Sequence, residues 1–196
     1  ANEVYKPTYI TQHTLNLTGG SEVGRYLVSF DYLDQPGLVK NTEYQRYSYR
    51  VNTDLNIGKM LKVSSDVTYR HVDRLWPESL GSVQYDVWSM QPTSPVRYEN
   101  GDYRLDKQNR NAISLMDLDV VGEDRYNMDV VYGHVKADFE PIKDLVFTGM
   151  ASLNGSWDRR KIHYKNYKYY NETGELVTQR NNPNSVKDSR NNSYQM

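Results

Sequence analysis

The chain has 196 residues, 37 % of them hydrophobic, with 18 Tyr against 3 Phe and a mean hydropathy of −0.84. That balance is too aromatic for a disordered chain and too poor in Leu and Ile for an ordinary soluble core. A formal net charge of −1 counts against a nucleic-acid binder, and the absence of cysteine excludes a disulfide scaffold, thiolate metal sites and cysteine catalysis. No stretch approaches about 18 consecutive apolar residues, so no transmembrane helix is encoded.

The predicted elements are strands, in pairs. The first covers 9–18, with Leu15 and Leu17 on one face and Thr14 and Asn16 on the other. Gly19-Gly20-Ser21-Glu22 is a hairpin signal. A second strand, 25–34, sets Tyr26, Val28, Phe30 and Tyr32 against Arg25, Ser29 and Asp31. A longer loop with the turn pair Pro36-Gly37 leads to the third strand, 44–57. There Tyr47, Tyr49, Val51, Thr53, Leu55 and Ile57 alternate with Arg46, Ser48, Arg50, Asn52, Asp54 and Asn56. Side chains on a strand point alternately to opposite faces, so one face is apolar and the other strongly polar. Residues 46–57 extend about 40 Å at about 3.3 Å each. A tilted membrane-spanning strand needs about 9–11 residues with this alternation.

Gly58-Lys59 closes a tight turn into a fourth strand, 61–70, where Val63, Val67 and Tyr69 oppose Lys62, Asp66 and Arg70. A long break follows over 71–124, holding Pro77, Pro92, Pro95 and the turn Asn100-Gly101, with short helices expected at 83–90 and 112–116. The third pair is 126–139 and 145–157, joined by Glu140-Pro141-Ile142-Lys143. The second of these is expected to continue as a strand over 159–170. A turn at Asn171-Glu172-Thr173-Gly174 leads to 175–179, and 180–192 reads as polar loop.

Connections therefore alternate between tight and long. One rim would carry turns and the other large loops, the asymmetry of outer-membrane barrels. The expected fold is all-β: an antiparallel up-and-down meander forming part of a large transmembrane β-barrel with one very long extracellular loop. Its watery interior explains the polar half of each strand, and interfacial girdles explain the Tyr. Six strands cannot close such a barrel, since about eight is the minimum. The chain opens at Ala1 without a signal peptide and stops at Met196 where another strand would start. A partial barrel over 1–196, open at both edges and without a plug domain, is the expectation.

Several segments resemble SusC/RagA-type TonB-dependent transporters of the Bacteroidetes outer membrane. Leu15-Asn16-Leu17-Thr18-Gly19-Gly20-Ser21-Glu22 and the run Arg25 to Leu38 look like the start of that barrel. Tyr44-Gln45-Arg46-Tyr47-Ser48-Tyr49-Arg50-Val51-Asn52 is similar to its early strands. Leu61-Lys62-Val63, Pro92-Thr93-Ser94-Pro95-Val96, Asn100-Gly101-Asp102-Tyr103 and Pro141-Ile142-Lys143-Asp144-Leu145 add to the match. The resemblance implies a parent barrel of about 22 strands enclosing a plug domain. It also implies the rest of that barrel, a SusD-like lipoprotein, the TonB complex acting through the absent plug region, and outer-membrane lipid as partners. It implies import of glycans or peptides across the bacterial outer membrane. The alternative is a soluble or cell-surface all-β ligand-binding module with aromatic contacts.

No motif supports an enzyme, a cofactor or a metal. His13, His71, His134 and His163 lack ligand spacing, and Asp117, Asp119, Glu123 and Asp124 read as a solvated loop without a calcium-loop pattern. On the polar face, Arg46, Arg50, Asn52, Asp54, Lys62, Asp66 and Arg70 are the candidate lumen-facing residues. In the long loop, Trp76, Tyr85, Trp88, Tyr98 and Tyr103 offer flat faces that stack on sugars or peptide side chains, or else pack the loop on itself. Arg159, Arg160, Lys161, Lys165 and Lys168 interleave with Tyr164, Tyr167, Tyr169 and Tyr170. They form either the outer rim of a strand facing lipopolysaccharide and water or a site for an anionic ligand or nucleic acid.

Overall fold

The computed structural model describes residues 4–90, 93, 95–105, 111–171, 173–180 and 185–195. Pro92, Ser94, Glu172, Ala1 and Met196, which figured in the sequence reading, lie outside the described residues. The strands are β1 (Thr11–Gly20), β2 (Gly24–Asp34), β3 (Glu43–Ile57), β4 (Leu61–Pro77), β5 (Gly122–Ile142), β6 (Leu145–Tyr164), β7 (Tyr167–Tyr170), β8 (Leu176–Arg180) and β9 (Ser185–Gln195). A helix, α1 (Leu80–Ser89), and a 3-10 turn (Ser114–Met116) occupy the long loop. Seven strands make one sheet in the order β1-β2-β3-β4-β5-β6-β9, all neighbours antiparallel, and β7-β8 is a separate hairpin between β6 and β9. Among the described residues β1 pairs only with β2 and β9 only with β6, so both edges are open.

Register carries the alternation across the sheet. Leu17, Val28, Val51, Val67, Gly133 and Leu153 stand directly opposite one another in successive strands. So do Leu15, Phe30, Tyr49, Tyr69, Val131 and Gly155. On the other face the matching rows are Asn16, Ser29, Arg50, Thr68, Tyr132 and Asn154, and Thr18, Leu27, Asn52, Asp66, His134 and Ser152. The apolar face is exposed: Leu15 at 69 %, Val51 at 40 %, Phe147 at 58 %. The apolar face thus has no core of its own. Buried apolar residues gather instead at the long-loop end, with Val83, Ala112, Met116 and Val121 in the loop and Val72 and Ile162 on the polar face of β4 and β6.

The strands run further than the alternation of apolar residues suggests. β4 continues to Pro77 rather than ending at 70, and β5 begins at Gly122 rather than 126, so the long loop is 78–121 and not 71–124. Trp76 consequently stands on a strand, opposite Asp124. β6 reaches Tyr164, and the strand expected over 159–170 breaks at Lys165 and Asn166 into β6 and β7. Most of 180–192, read as polar loop, is β9. The cause is common to these cases. Above the apolar band a strand is wet on its outer face, so polar residues fall at both parities and the period disappears. The helices were displaced too, from 83–90 to Leu80–Ser89 and from 112–116 to a short 3-10 turn. The turn after β5 tightens to 143–144, with Asp144 at φ 67° and a register shift between Phe139 and Ile142.

Gly122 fixes the point where the long loop re-enters the sheet. Its φ is 96°, and a Cβ there would lie 1.9 Å from the His163 carbonyl oxygen. In the full-length protein, Gly122→Ala is expected to cost about 1–3 kcal/mol from the backbone conformation alone, read as a lowered Tm. Gly149→Ala, where a Cβ meets nothing within 4 Å, is the control and should leave Tm unchanged or raised.

Candidate functional site

Many of the charges on the polar face of the sheet are paired within it. Asp31 accepts hydrogen bonds from Gln12, Thr14 and Arg46, the last at 2.9 Å. Arg50 reaches Asp66 through Nε and Nη2 at 2.9 and 2.6 Å, and Nε also lies 3.0 Å from the Asn52 side-chain oxygen. Ser64 donates to Asp54, while Lys136 and Thr148 both donate to Asp138. Arg46, Arg50, Asn52, Asp54, Lys62, Asp66 and Arg70 all fall on this face by register, with Lys62 and Arg70 exposed. Cross-strand pairs of this kind hold charged side chains flat against the sheet.

The opposite face is zoned by height. Along β3 the band runs from Ile57 to Tyr47, about 33 Å of strand at about 3.3 Å per residue. At a tilt of about 40° that is about 25 Å of height, the apolar band of an outer-membrane barrel. Within it the Thr53 and Ser65 hydroxyls bond each other at 2.7 Å, leaving neither without a partner. The band ends in a row of His13, Tyr32, Tyr47, His71, Asp129 and Trp157. Ring pairs run along it, and the Trp157 indole N–H donates to the Tyr194 hydroxyl at 2.7 Å. Amphipathic rings of this type settle at the membrane–water interface.

Above that row the long loop folds over the polar face. Arg74 lies between Trp76, at 3.9 Å, and Tyr126, at 4.9 Å from guanidinium carbon to ring centroid. Asp124, expected in a solvated loop, is instead buried on β5 and takes Arg160 at 2.6 Å with Arg74 at 3.9 Å. Its charge holds the Arg160 pKa above its ordinary value, chiefly through that hydrogen bond. Val83 packs with Met116 and Val4, flanked by Val39, Val87, Ile113 and Leu115. Asn111 ties the loop together. Its amide donates to the Val96 and Arg104 carbonyls, and its side-chain oxygen accepts from the backbone of Ile113 and Ser114.

The five aromatic candidates are not brought to one place. Trp76 is a packing residue on β4, under Arg74. Tyr103 donates to Asp117 at 2.6 Å and is covered by Arg97 at 3.7 Å. Burial, then that bond and the charge of Asp117, push the Tyr103 pKa well up. Tyr98 lines an open cleft of about 900 Å³ with Arg97, Glu99, Asp102, Arg104 and Tyr170. Tyr85 and Trp88, three residues apart on α1, share its outward face and are 62 % and 76 % exposed. Sequence reasoning missed Arg74, Asn111 and the tie between the Arg180 guanidinium and Glu78, at 2.6 and 3.0 Å. Only the Val72, Arg74, Trp76 alternation gave a signal, and the charged residues between them obscured it.

Glu78 is half-buried and has a depressed pKa. Burial alone would raise it, but hydrogen bonds from Arg180 and Ser79 and the Arg180 charge outweigh burial and hold it below the ordinary 4.5. The stabilisation is therefore complete above about pH 4.5 and is lost as pH falls through the lower folded value. Protection of the β7-β8 amides, taken as intrinsic over observed exchange rate, is expected to fall in the wild type as pH drops below about 4.5. In Glu78→Gln that protection should already be low at pH 6 and show no step.

No family model matches the chain. Two curated proteins of Formosa agariphila are similar to it. TonB-dependent receptor P26 is 32 % identical over 98 residues, which is 50 % of this chain and 10 % of that protein. TonB-dependent receptor P3 is 33 % identical over 66 residues, 34 % of this chain and 7 % of that protein. The chain thus spans a tenth or less of the length of these relatives. Among solved structures, the RagAB peptide transporter superposes with a TM-score of 0.62 and 17 % identity over 83 % of this chain and 19 % of that one. The RagAB peptide importer in its closed-closed state gives 0.64 and 18 % over 88 % and 20 %. These likenesses show the fold, a portion of a β-barrel. The named relatives are receptors and transporters rather than enzymes.

Proposed function

We propose, on the footing that the chain is a segment of a SusC/RagA-like TonB-dependent transporter, that its strands form part of the wall of an outer-membrane importer. The observation that carries the reading is the exposed apolar face, about 25 Å tall and closed above by an aromatic row, on a sheet whose other face is polar. A soluble all-β module would bury such a face; here it supports contact with lipid. The face of Arg46, Arg50, Asn52, Asp54, Lys62, Asp66 and Arg70 then borders the plug and the aqueous path. Energy from the TonB complex would act through the plug region. The cargo would be a glycan or a peptide, delivered with a SusD-like lipoprotein at the long-loop side. The wall itself does no catalysis.

Neighbouring positions on β6 give a sharp test. Leu153 stands mid-band on the apolar face and Ser152 on the polar face. In the full-length protein, Leu153→Lys should cost about 2–4 kcal/mol, as a cation at the bilayer midplane does, and strongly reduce the outer-membrane level. Ser152→Lys should assemble near wild-type level. Equal levels for the two would remove the lipid-facing assignment.

Cargo contact is proposed for the loop assembly, since loops held by a rigid scaffold carry recognition. Tyr85 and Trp88 are its best candidates, because Trp76 and Tyr103 hold the loop itself. Tyr85→Ala with Trp88→Ala is expected to weaken uptake several-fold at unchanged outer-membrane level. Tyr103→Ala should lower both, through loss of the Asp117 and Arg97 contacts. Unchanged uptake in the Tyr85 and Trp88 variant would place cargo contacts elsewhere in the parent protein.

A further inference from the structure

Just above the aromatic row, the apolar side of the sheet carries two like-charge pairs directly across neighbouring strands. Arg125 on β5 faces Lys161 on β6, and Arg159 on β6 faces Arg190 on β9. Like charges directly opposite one another destabilise a sheet. Two carboxylates stand near them. Glu123 lies 3.5 Å from Arg125. Asp188, directly opposite Lys161, takes Arg159 at 2.6 Å and lies 4.0 Å from Arg190. Four cations against two carboxylates leave an excess of two positive charges. The guanidinium side chains stay open to the surroundings, at 46 % for Arg125, 50 % for Arg159 and 68 % for Arg190.

Height identifies what they meet. Arg159 and Arg190 follow the Trp157 row by two residues, Arg125 and Lys161 by four. At about 3.3 Å per residue and a tilt of about 40°, these are about 5 and about 10 Å above the row. Aromatic rows sit at the level of the lipid headgroups, so the cations lie level with and just beyond those groups, on the lipid side. The end of the sheet is the one with long loops, hence the outer leaflet. The same height on β2 to β4 carries Asp34, Gln45, Asp73 and Glu43, so the positive charge is confined to β5, β6 and β9.

We propose that Arg125, Arg159, Lys161 and Arg190 form a docking surface for the phosphorylated headgroup of an outer-leaflet glycolipid. Arginine matches phosphate oxygens two at a time, and lysine adds a point charge. An anion between the facing cations turns two repulsive pairs into bridges. The proposal rests on the wall reading above, because the surface must face lipid.

The test uses the full-length protein purified in detergent and titrated with a phosphorylated lipid A, with retained lipid counted by native mass spectrometry. Wild type should retain the phosphorylated glycolipid and lose it when the same glycolipid lacks phosphate. Arg159→Gln with Lys161→Gln and Arg190→Gln should weaken retention by about fivefold per cation removed. Arg159→Lys with Arg190→Lys keeps the charge and should keep most of the binding, which separates lost charge from a disturbed strand. Lys187→Gln, on β9 but facing the other way opposite Ile162, should change nothing. Retention unaffected by the triple substitution would overturn the proposal, as would displacement of the glycolipid by millimolar inorganic phosphate. Failure of the wall reading would show separately, as absence of the wild-type protein from the outer-membrane fraction.

Discussion

An apolar surrounding offers no hydrogen bonds, so each backbone group in the band must find its partner in the sheet. That constraint explains a register that runs without interruption from β1 to the upper part of β6, with the register shift in these ladders falling at the turn end of β5. Once register is fixed, period-two geometry leaves no freedom about facing. A slip of one residue would send Arg50 and Asp66 to the lipid side and Val51 and Val67 to the polar side. The hydroxyls of Thr53 and Ser65 show the same rule at side-chain level, because each satisfies the other within the band.

The loops are held by different physics. Their apolar cluster is small, centred on Val83, Met116 and Val4, and polar ties do much of the positioning. Asn111 replaces missing backbone partners at four points. Arg180 pins the β7-β8 hairpin to Glu78, and Ser114 bonds the hydroxyl of buried Tyr169. The Tyr169 pKa is raised to about 12, chiefly by burial, so this contact remains neutral at physiological pH. The Asp124 carboxylate sits beneath, shared between Arg160 and Arg74. Removing one partner of such a buried pair would leave an uncompensated charge. A framework tied in this way can hold the exposed rings of Tyr85 and Trp88 in place without itself moving.

The band was legible in the sequence because lipid and lumen impose opposite chemistry on alternate residues. Val51, Leu55, Val63 and Val67 against Arg50, Asn52 and Asp66 is a pattern with one reading. The hairpin turns were legible for their glycines and the sorting of connections by length. Legibility stopped at the aromatic row. Beyond it Asp73, Arg125, Arg159 and Arg190 are on the outward face and yet polar, so β4 and β5 ran past their expected limits, β9 fell in an expected loop, and β6 broke short of the continuation expected over 159–170. The aromatic candidates are scattered for a related reason. Sequence position put Trp76 and Tyr103 beside Trp88, but only the fold tells which ring is covered by an arginine and which is bare.

The run Arg159-Arg160-Lys161 shows how much register adds to composition. As a string it is one basic cluster with a single presumed task. On β6 its members point alternately. Arg160 turns to the polar side, where Asp124 receives it and the loop assembly is anchored. Arg159 and Lys161 turn to the lipid side, where Arg159 faces Arg190, and Lys161 stands between Arg125 and Asp188. The inward residue has its counter-charge supplied by the protein, and the outward pairs have less than theirs. A sheet that pairs most of the carboxylates of its polar face with cations of its own, from Asp31 on β2 to Asp138 on β5, carries paired cations on its other face where the lipid headgroups can meet them.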